Sequence, residues 1–210
     1  MANLIANLMN DPNELRSMTA AAALRDFIDR LLPMLPADFA APVRALDLSA
    51  ARAGQGRLPV CRFWQAATSG GAPLLGPLAR LAPELGWVQN PNYVARPPSP
   101  DFLDNYGYAV LAGPGGLVAS EALALGLLLL GPRTHYPTHR HPAVEVYVVA
   151  GGEAEWRRGE DTWRREPPGA VIRHDSMVPH ATRTLAEPLL AVYLWQGDLA
   201  THARIVDGRG

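Results

Sequence analysis

One stretch gathers most of the residues suited to chemistry. Residues 135–152, HYPTHRHPAVEVYVVAGG, hold His135, His139 and His141, with Glu145 and the tyrosines Tyr136 and Tyr147. In an extended chain every second side chain faces the same way. His139, His141, Glu145 and Tyr147 are all odd-numbered, with the small Ala143 between them, so a strand can aim two imidazoles, a carboxylate and a phenol into one cavity. Val144, Val146 and Val148 then face packing. Pro142 interrupts this regularity, and a bend or bulge is expected there. Neutral imidazole with carboxylate is a ligand set for one divalent transition metal, with Zn, Fe, Mn, Ni and Co all open. The fourth ligand must come from elsewhere in the chain. His180 is the candidate and His174 its rival, while His135 reads as a residue of the rim or one behind the ligands, and His202 as unrelated.

The rest of the chain must position these groups. Its 210 residues suit one substantial domain, or one with an added helical segment; 48% are hydrophobic and 19% charged, enough for a real core. The formal charge of −1 and the scattered arginines argue against nucleic acid or an anionic membrane as partner. The single cysteine, Cys61, excludes an internal disulfide framework and a Cys-rich zinc site. No signal peptide is visible, so a cytoplasmic enzyme is expected. The apolar run Leu123–Leu130 is too short to span a bilayer and reads as a buried strand.

Helical spacing runs through residues 11–35, with Asp11 as cap, Pro12 in the first turn and Glu14 at capping-box distance. Leu24, Ile28, Leu31 and Leu35 recur on one face, and Pro33 and Pro36 end the element. A second short helix is expected within 37–53. A third is expected within 73–85, interrupted at Gly76-Pro77. Residues 87–101, WVQNPNYVARPPSPD, read as a long ordered loop. From about 102 the pattern changes to short apolar stretches at 106–111, 117–130, 143–150, 153–158, 161–165, 170–174, 189–195 and 202–206, the spacing of an all-β barrel or double-sheet sandwich. The layout expected is a helical segment over 1–100 packed on a β-barrel over 101–210 that carries the site.

The spacing His139-x-His141-x₃-Glu145-x₆-Gly152 resembles the first motif of the cupin superfamily. The second motif falls on Gly169 and His180, with Asp175, Met177 and Thr184 departing from the usual residues and Gly131 lying two positions early. The resemblance implies a mainly β fold, a jelly-roll barrel with an N-terminal helical extension, and a metal held by His139, His141, Glu145 and His180. The segments NYGYAVLAGPGG (105–116), GLLLLGPRTHYPTHRHPAVEVYVVAGGEAEW (126–156) and VPHATRTLAEPLLAVYLWQGDL (178–199) are similar to the cupin-type dimethylsulfoniopropionate (DMSP) lyases, with Tyr-x₂-His-x-His-x₃-Glu-x-Tyr intact. That resemblance implies cleavage of DMSP to acrylate and dimethyl sulfide. It places the base on Tyr147 and a second active-site tyrosine on Tyr136.

The residues make chemical sense of such a reaction. The substrate is a small zwitterion, a carboxylate at one end and a sulfonium at the other. A metal taking the carboxylate acidifies the adjacent C–H. A phenol near a cation has a lowered pKa and can act as general base. The sulfonium suits aromatic faces, for which Tyr136, Tyr106, Tyr108, Trp87, Trp156 and Trp195 are candidates. Two other classes compete: another metal-dependent cupin enzyme, a dioxygenase or an isomerase, and a non-catalytic cupin that binds a small ligand. A tyrosine beside the ligand set, which an oxygenase does not need, favours the lyase. The oligomeric state stays open, a homodimer included.

Overall fold

Leu24, Phe27, Ile28 and Leu31 recur at the 3, 4 and 7 spacing of one helix face, and all four are buried. They lie on α1 (Pro12–Leu31), which runs into a 3₁₀ turn carrying Pro33. The computed structural model describes residues 12–52, 54–70 and 72–206, so the cap expected from Asp11 and Glu14 lies outside the described side chains. Among the described residues, four shorter helices follow: α2 (Ala37–Arg44), α3 (Trp64–Ala67), α4 (Leu75–Leu81) and α5 (Pro91–Ala95). The helix expected within 37–53 ends at Arg44. Gly76-Pro77 does not interrupt α4, because it falls in the first turn, where no intrahelical N–H bond is lost. The stretch 87–101 is not all loop: it holds a two-residue strand, and Asn90 caps α5 by accepting from Asn92 N–H at 3.0 Å.

Among the described residues, eleven strands form two antiparallel sheets. The larger has the order β1 (Trp87–Val88), β2 (Tyr106–Ala112), β3 (Ala124–Leu130), β10 (Leu189–Gln196), β5 (Val144–Gly151), β8 (Val171–His174). The smaller has the order β11 (Arg204–Ile205), β4 (His135–Arg140), β9 (His180–Thr184), β6 (Ala154–Arg158), β7 (Arg164–Glu166). The strand expected over 117–130 is shorter, beginning at Ala124, and 180–184 is a strand that the apolar pattern did not mark.

The larger sheet is buried on both faces, which is why its strands read as unbroken apolar runs instead of alternating. Leu125, Leu127 and Leu129, Val146 and Val148, and Leu190, Val192 and Leu194 pack with Leu24, Phe27, Leu31, Leu78 and Leu81 in one core. The opposite face carries Leu128, Leu130, Tyr147, Val149, Ala191 and Tyr193, which pack with Tyr136 and Trp156 of the smaller sheet. The helices therefore back the sheet that presents the site.

Two glycines are required by this packing. Gly126 lies opposite Tyr193 in the β3–β10 ladder, and a Cβ there would meet the Tyr193 ring at 2.5 Å. Gly152, the glycine of the first motif, has φ +70 in the turn after β5, and a Cβ would run into the Pro188 carbonyl.

Candidate metal centre and cavity

His139 and Glu145 lie on different sheets. The chain leaves β4 at Arg140, turns at His141 to Ala143, and enters β5 at Val144. The break expected at Pro142 is thus a crossing between layers. It places His139 on one wall, Glu145 on the facing wall and His141 between them. β9 brings the third histidine, because His180 pairs directly with His139.

All three imidazoles are oriented by the backbone. Nδ1 donates to a carbonyl in each: His139 to Pro137 at 2.8 Å, His141 to Ala143 at 3.1 Å, His180 to Val178 at 2.9 Å. A carbonyl only accepts, so Nδ1 carries a proton in each ring and Nε2 is the second nitrogen available as a ligand atom. His139, His141 and His180 are all buried, and their ligand-type atoms lie within 4.8 Å of one another. Glu145 Oε2 is 3.1 Å from His141 Nε2 and 3.2 Å from His180 Nε2. Three buried imidazoles and a carboxylate converging in this way are a donor set that fits a divalent transition metal. Burial opposes ionisation of Glu145, but His141 and His180 outweigh it and hold its carboxyl well below the ordinary range. Burial, then neighbouring His180, pushes the His139 pKa well below 6.5 and keeps the ring neutral, as a ligand must be.

Two residues that the ligand pattern does not contain complete the surround. Trp195 sits opposite Glu145 in the β5–β10 ladder and donates Nε1–H to Glu145 Oε1 at 2.6 Å. His174 sits opposite Glu145 on the other side, in β8, and stacks on His180 with ring centres 4.0 Å apart and planes 7° apart. It is 1% exposed, and neither ring nitrogen has a hydrogen-bond partner. Burial, then His180, lowers its pKa to about 3. His174 thus backs His180 and stands outside the cluster of His139, His141 and His180. His135 is exposed on the outer side, edge-on to Trp163.

A cavity of about 610 Å³ opens beside this cluster, and Glu145, Tyr136 and Tyr147 are on its wall. Tyr147 follows Glu145 by two residues on the same face of β5. Tyr136 and His139 are three apart and would face opposite ways in a regular strand. The β4–β9 register shifts between them, and the extra residue of this bulge turns both inward. Pro137, which has no N–H to give to a ladder, lies in the bulge. The two rings stack with centres 4.0 Å apart and planes 6° apart.

Sequence reasoning expected a neighbouring cation to lower the Tyr147 pKa. The chain's own groups act in the other direction: burial, then the Glu145 charge and its hydrogen bond, push it well above 10. Without a cation, Tyr147 keeps its proton. Of the aromatic candidates, Tyr106, Tyr108 and Trp195 line the cavity. Trp87 lies in the helix-side core, and Trp156 packs on Tyr147 with ring centres 4.8 Å apart. Tyr193, Asn90 and His202 also line the cavity. Tyr193 was findable from Gly126, the one gap in the apolar β3 run. Asn90 and His202 carried no periodic signal, being in irregular segments.

Residues 41–191 match the dimethylsulfoniopropionate lyase family. The dimethylsulfoniopropionate lyase DddQ of Ruegeria pomeroyi is 43% identical over 101 residues, 48% of this chain and 50% of that protein. The chain spans about half the length of the curated relatives it matches. The crystal structure of DMSP lyase DddQ from Ruegeria pomeroyi DSS-3 superposes with a TM-score of 0.77 at 29% identity, covering 91% of this chain and 98% of that one. A structure described as the DMSP lyases RdDddP and RnDddQII gives 0.70 at 26% identity, with 93% and 100% covered. The fold is the mainly β cupin jelly roll with N-terminal helices, and the chain belongs to the dimethylsulfoniopropionate lyase family.

Proposed function

We propose that the protein is a metal-dependent carbon–sulfur lyase that cleaves DMSP to acrylate and dimethyl sulfide, acting in the cytoplasm on a small zwitterionic organosulfur substrate. The observation that carries this reading is that Glu145 and Tyr147 from one sheet and Tyr136 from the other line one cavity beside a cluster of three buried imidazoles. His139, His141, Glu145 and His180 would hold one divalent transition metal, which supplies positive charge to orient the substrate carboxylate and to ease loss of the Tyr147 proton.

The remaining steps belong to the side chains. Tyr147 as phenolate removes the proton from the carbon next to the carboxylate. The C–H pair becomes the new C=C bond, and the C–S pair leaves with sulfur as neutral dimethyl sulfide. Tyr147 ends protonated and returns its proton to water. Tyr136 orients the substrate from the His139 side. Tyr106, Tyr108 and Tyr193 offer faces to the sulfonium, an attraction worth roughly 0.5–2 kcal/mol. The apolar lining keeps competing water from the reacting carbon.

The test is headspace assay for dimethyl sulfide with metal analysis of the same sample. Release of dimethyl sulfide with stoichiometric acrylate is expected. Oxygen consumption on another substrate, or DMSP binding without turnover, overturns the reading.

A further inference from the structure

The Tyr136 hydroxyl has a partner from outside the sheets. Tyr93 Oη lies 3.1 Å from Tyr136 Oη, and the two rings meet edge to face with centres 5.7 Å apart. Tyr93 belongs to α5, within the stretch rich in Pro and Asn. It is 1% exposed and absent from the cavity lining, and its hydroxyl meets the cavity wall at the Tyr136 hydroxyl. Phe102 and Tyr106 pack edge-on against its ring and hold it in place. The helix is fixed in turn: Asn90 and Asn92 both donate side-chain N–H to the Ala203 carbonyl, at 2.9 and 3.1 Å. Ala203 ends the loop after β10 that lines the cavity. The chain of contacts therefore runs from the loop, through α5 and Tyr93, to the hydroxyl of Tyr136.

We propose that Tyr93 is a positioning residue for the lyase reaction: its hydrogen bond fixes which way the Tyr136 hydroxyl faces the substrate. The inference rests on the function proposed above. A tyrosine hydroxyl carries one proton and rotates about its C–O bond. When Tyr93 donates to the Tyr136 oxygen, the Tyr136 proton is left to point into the cavity. A substrate carboxylate only accepts hydrogen bonds, so it selects this arrangement. Burial, opposed in part by Tyr136, keeps the Tyr93 hydroxyl protonated and able to donate.

A double-substitution cycle tests this. Tyr93→Phe keeps the ring and its packing and removes only the oxygen. On metal-loaded protein it is expected to lower kcat/KM for DMSP by roughly 3- to 10-fold, the scale of one hydrogen bond. In a Tyr136→Phe background the same substitution should change kcat/KM by less than about twofold, because its target oxygen is gone. A merely structural role predicts the same loss in both backgrounds, and that result overturns the inference, as does native kcat/KM in Tyr93→Phe. Failure of the function itself looks different: the unsubstituted chain would release no dimethyl sulfide.

Discussion

Trp195 holds Glu145 and braces His141 beside it. Its Nε1–H gives the 2.6 Å hydrogen bond to Oε1, and the same indole stacks on His141 with ring centres 4.1 Å apart. Oε1 is thereby committed, which leaves Oε2 facing the histidines. Trp195→Phe keeps an aromatic face on His141 and frees Oε1. Metal affinity, measured by competition with a chelator, should fall about 10- to 100-fold, as for other groups that orient a ligand from behind.

His180 and His174 are stacked and chemically identical, but only His180 has its Nε2 beside Glu145. His180→Ala should therefore abolish stoichiometric metal content. His174→Phe, which preserves a flat ring behind His180, should retain it. Elemental analysis of the two purified variants decides, and the reverse pattern would move the ligand to β8.

Tyr147→Phe should keep fold and metal and lose at least about 10²-fold in turnover, the lower scale for a general base. The pH dependence has a definite sign. Burial and Glu145 favour the protonated phenol, so the reactive phenolate grows as pH rises. The rate of the native chain should climb toward alkaline pH and then level off. A profile flat in that range, or near-native turnover by the variant on metal-loaded protein, removes Tyr147 as base.

Gly126→Ala tests the packing behind the cavity wall. The added methyl meets the Tyr193 ring and the Ala109 carbonyl in a sheet interior with little room to shift. The expected cost is about 1–3 kcal/mol in urea unfolding. KM should rise as well, since Tyr193 is the side chain displaced.

Much of this site was legible because ligand spacing survives changes of path. His139, His141 and Glu145 could be picked out by number alone, and Gly152 marks the turn that φ +70 requires. What the sequence hides is the path itself. Period-two reasoning placed four groups on one strand, whereas the chain crosses between sheets at His141 to Ala143. Tyr136 faces inward only through a bulge, a feature that strand periodicity has no means to register. Trp195 and His174 join the site through ladder register across long sequence separations, and no local pattern encodes that. Tyr93 hides in a segment rich in Pro and Asn, where turn chemistry masks a short helix.

The crossing between β4 and β5 also bears on endurance. Because Glu145 belongs to one layer and His139 and His180 to the other, an ion held by all of them rivets the two halves of the sandwich together, much as a disulfide would in a chain that has only Cys61. Resistance to heat then scales with the free concentration of that ion, gaining roughly 1.4 kcal/mol for each tenfold excess over its dissociation constant. A cell short of the metal would hold a protein that is easier to unravel as well as idle.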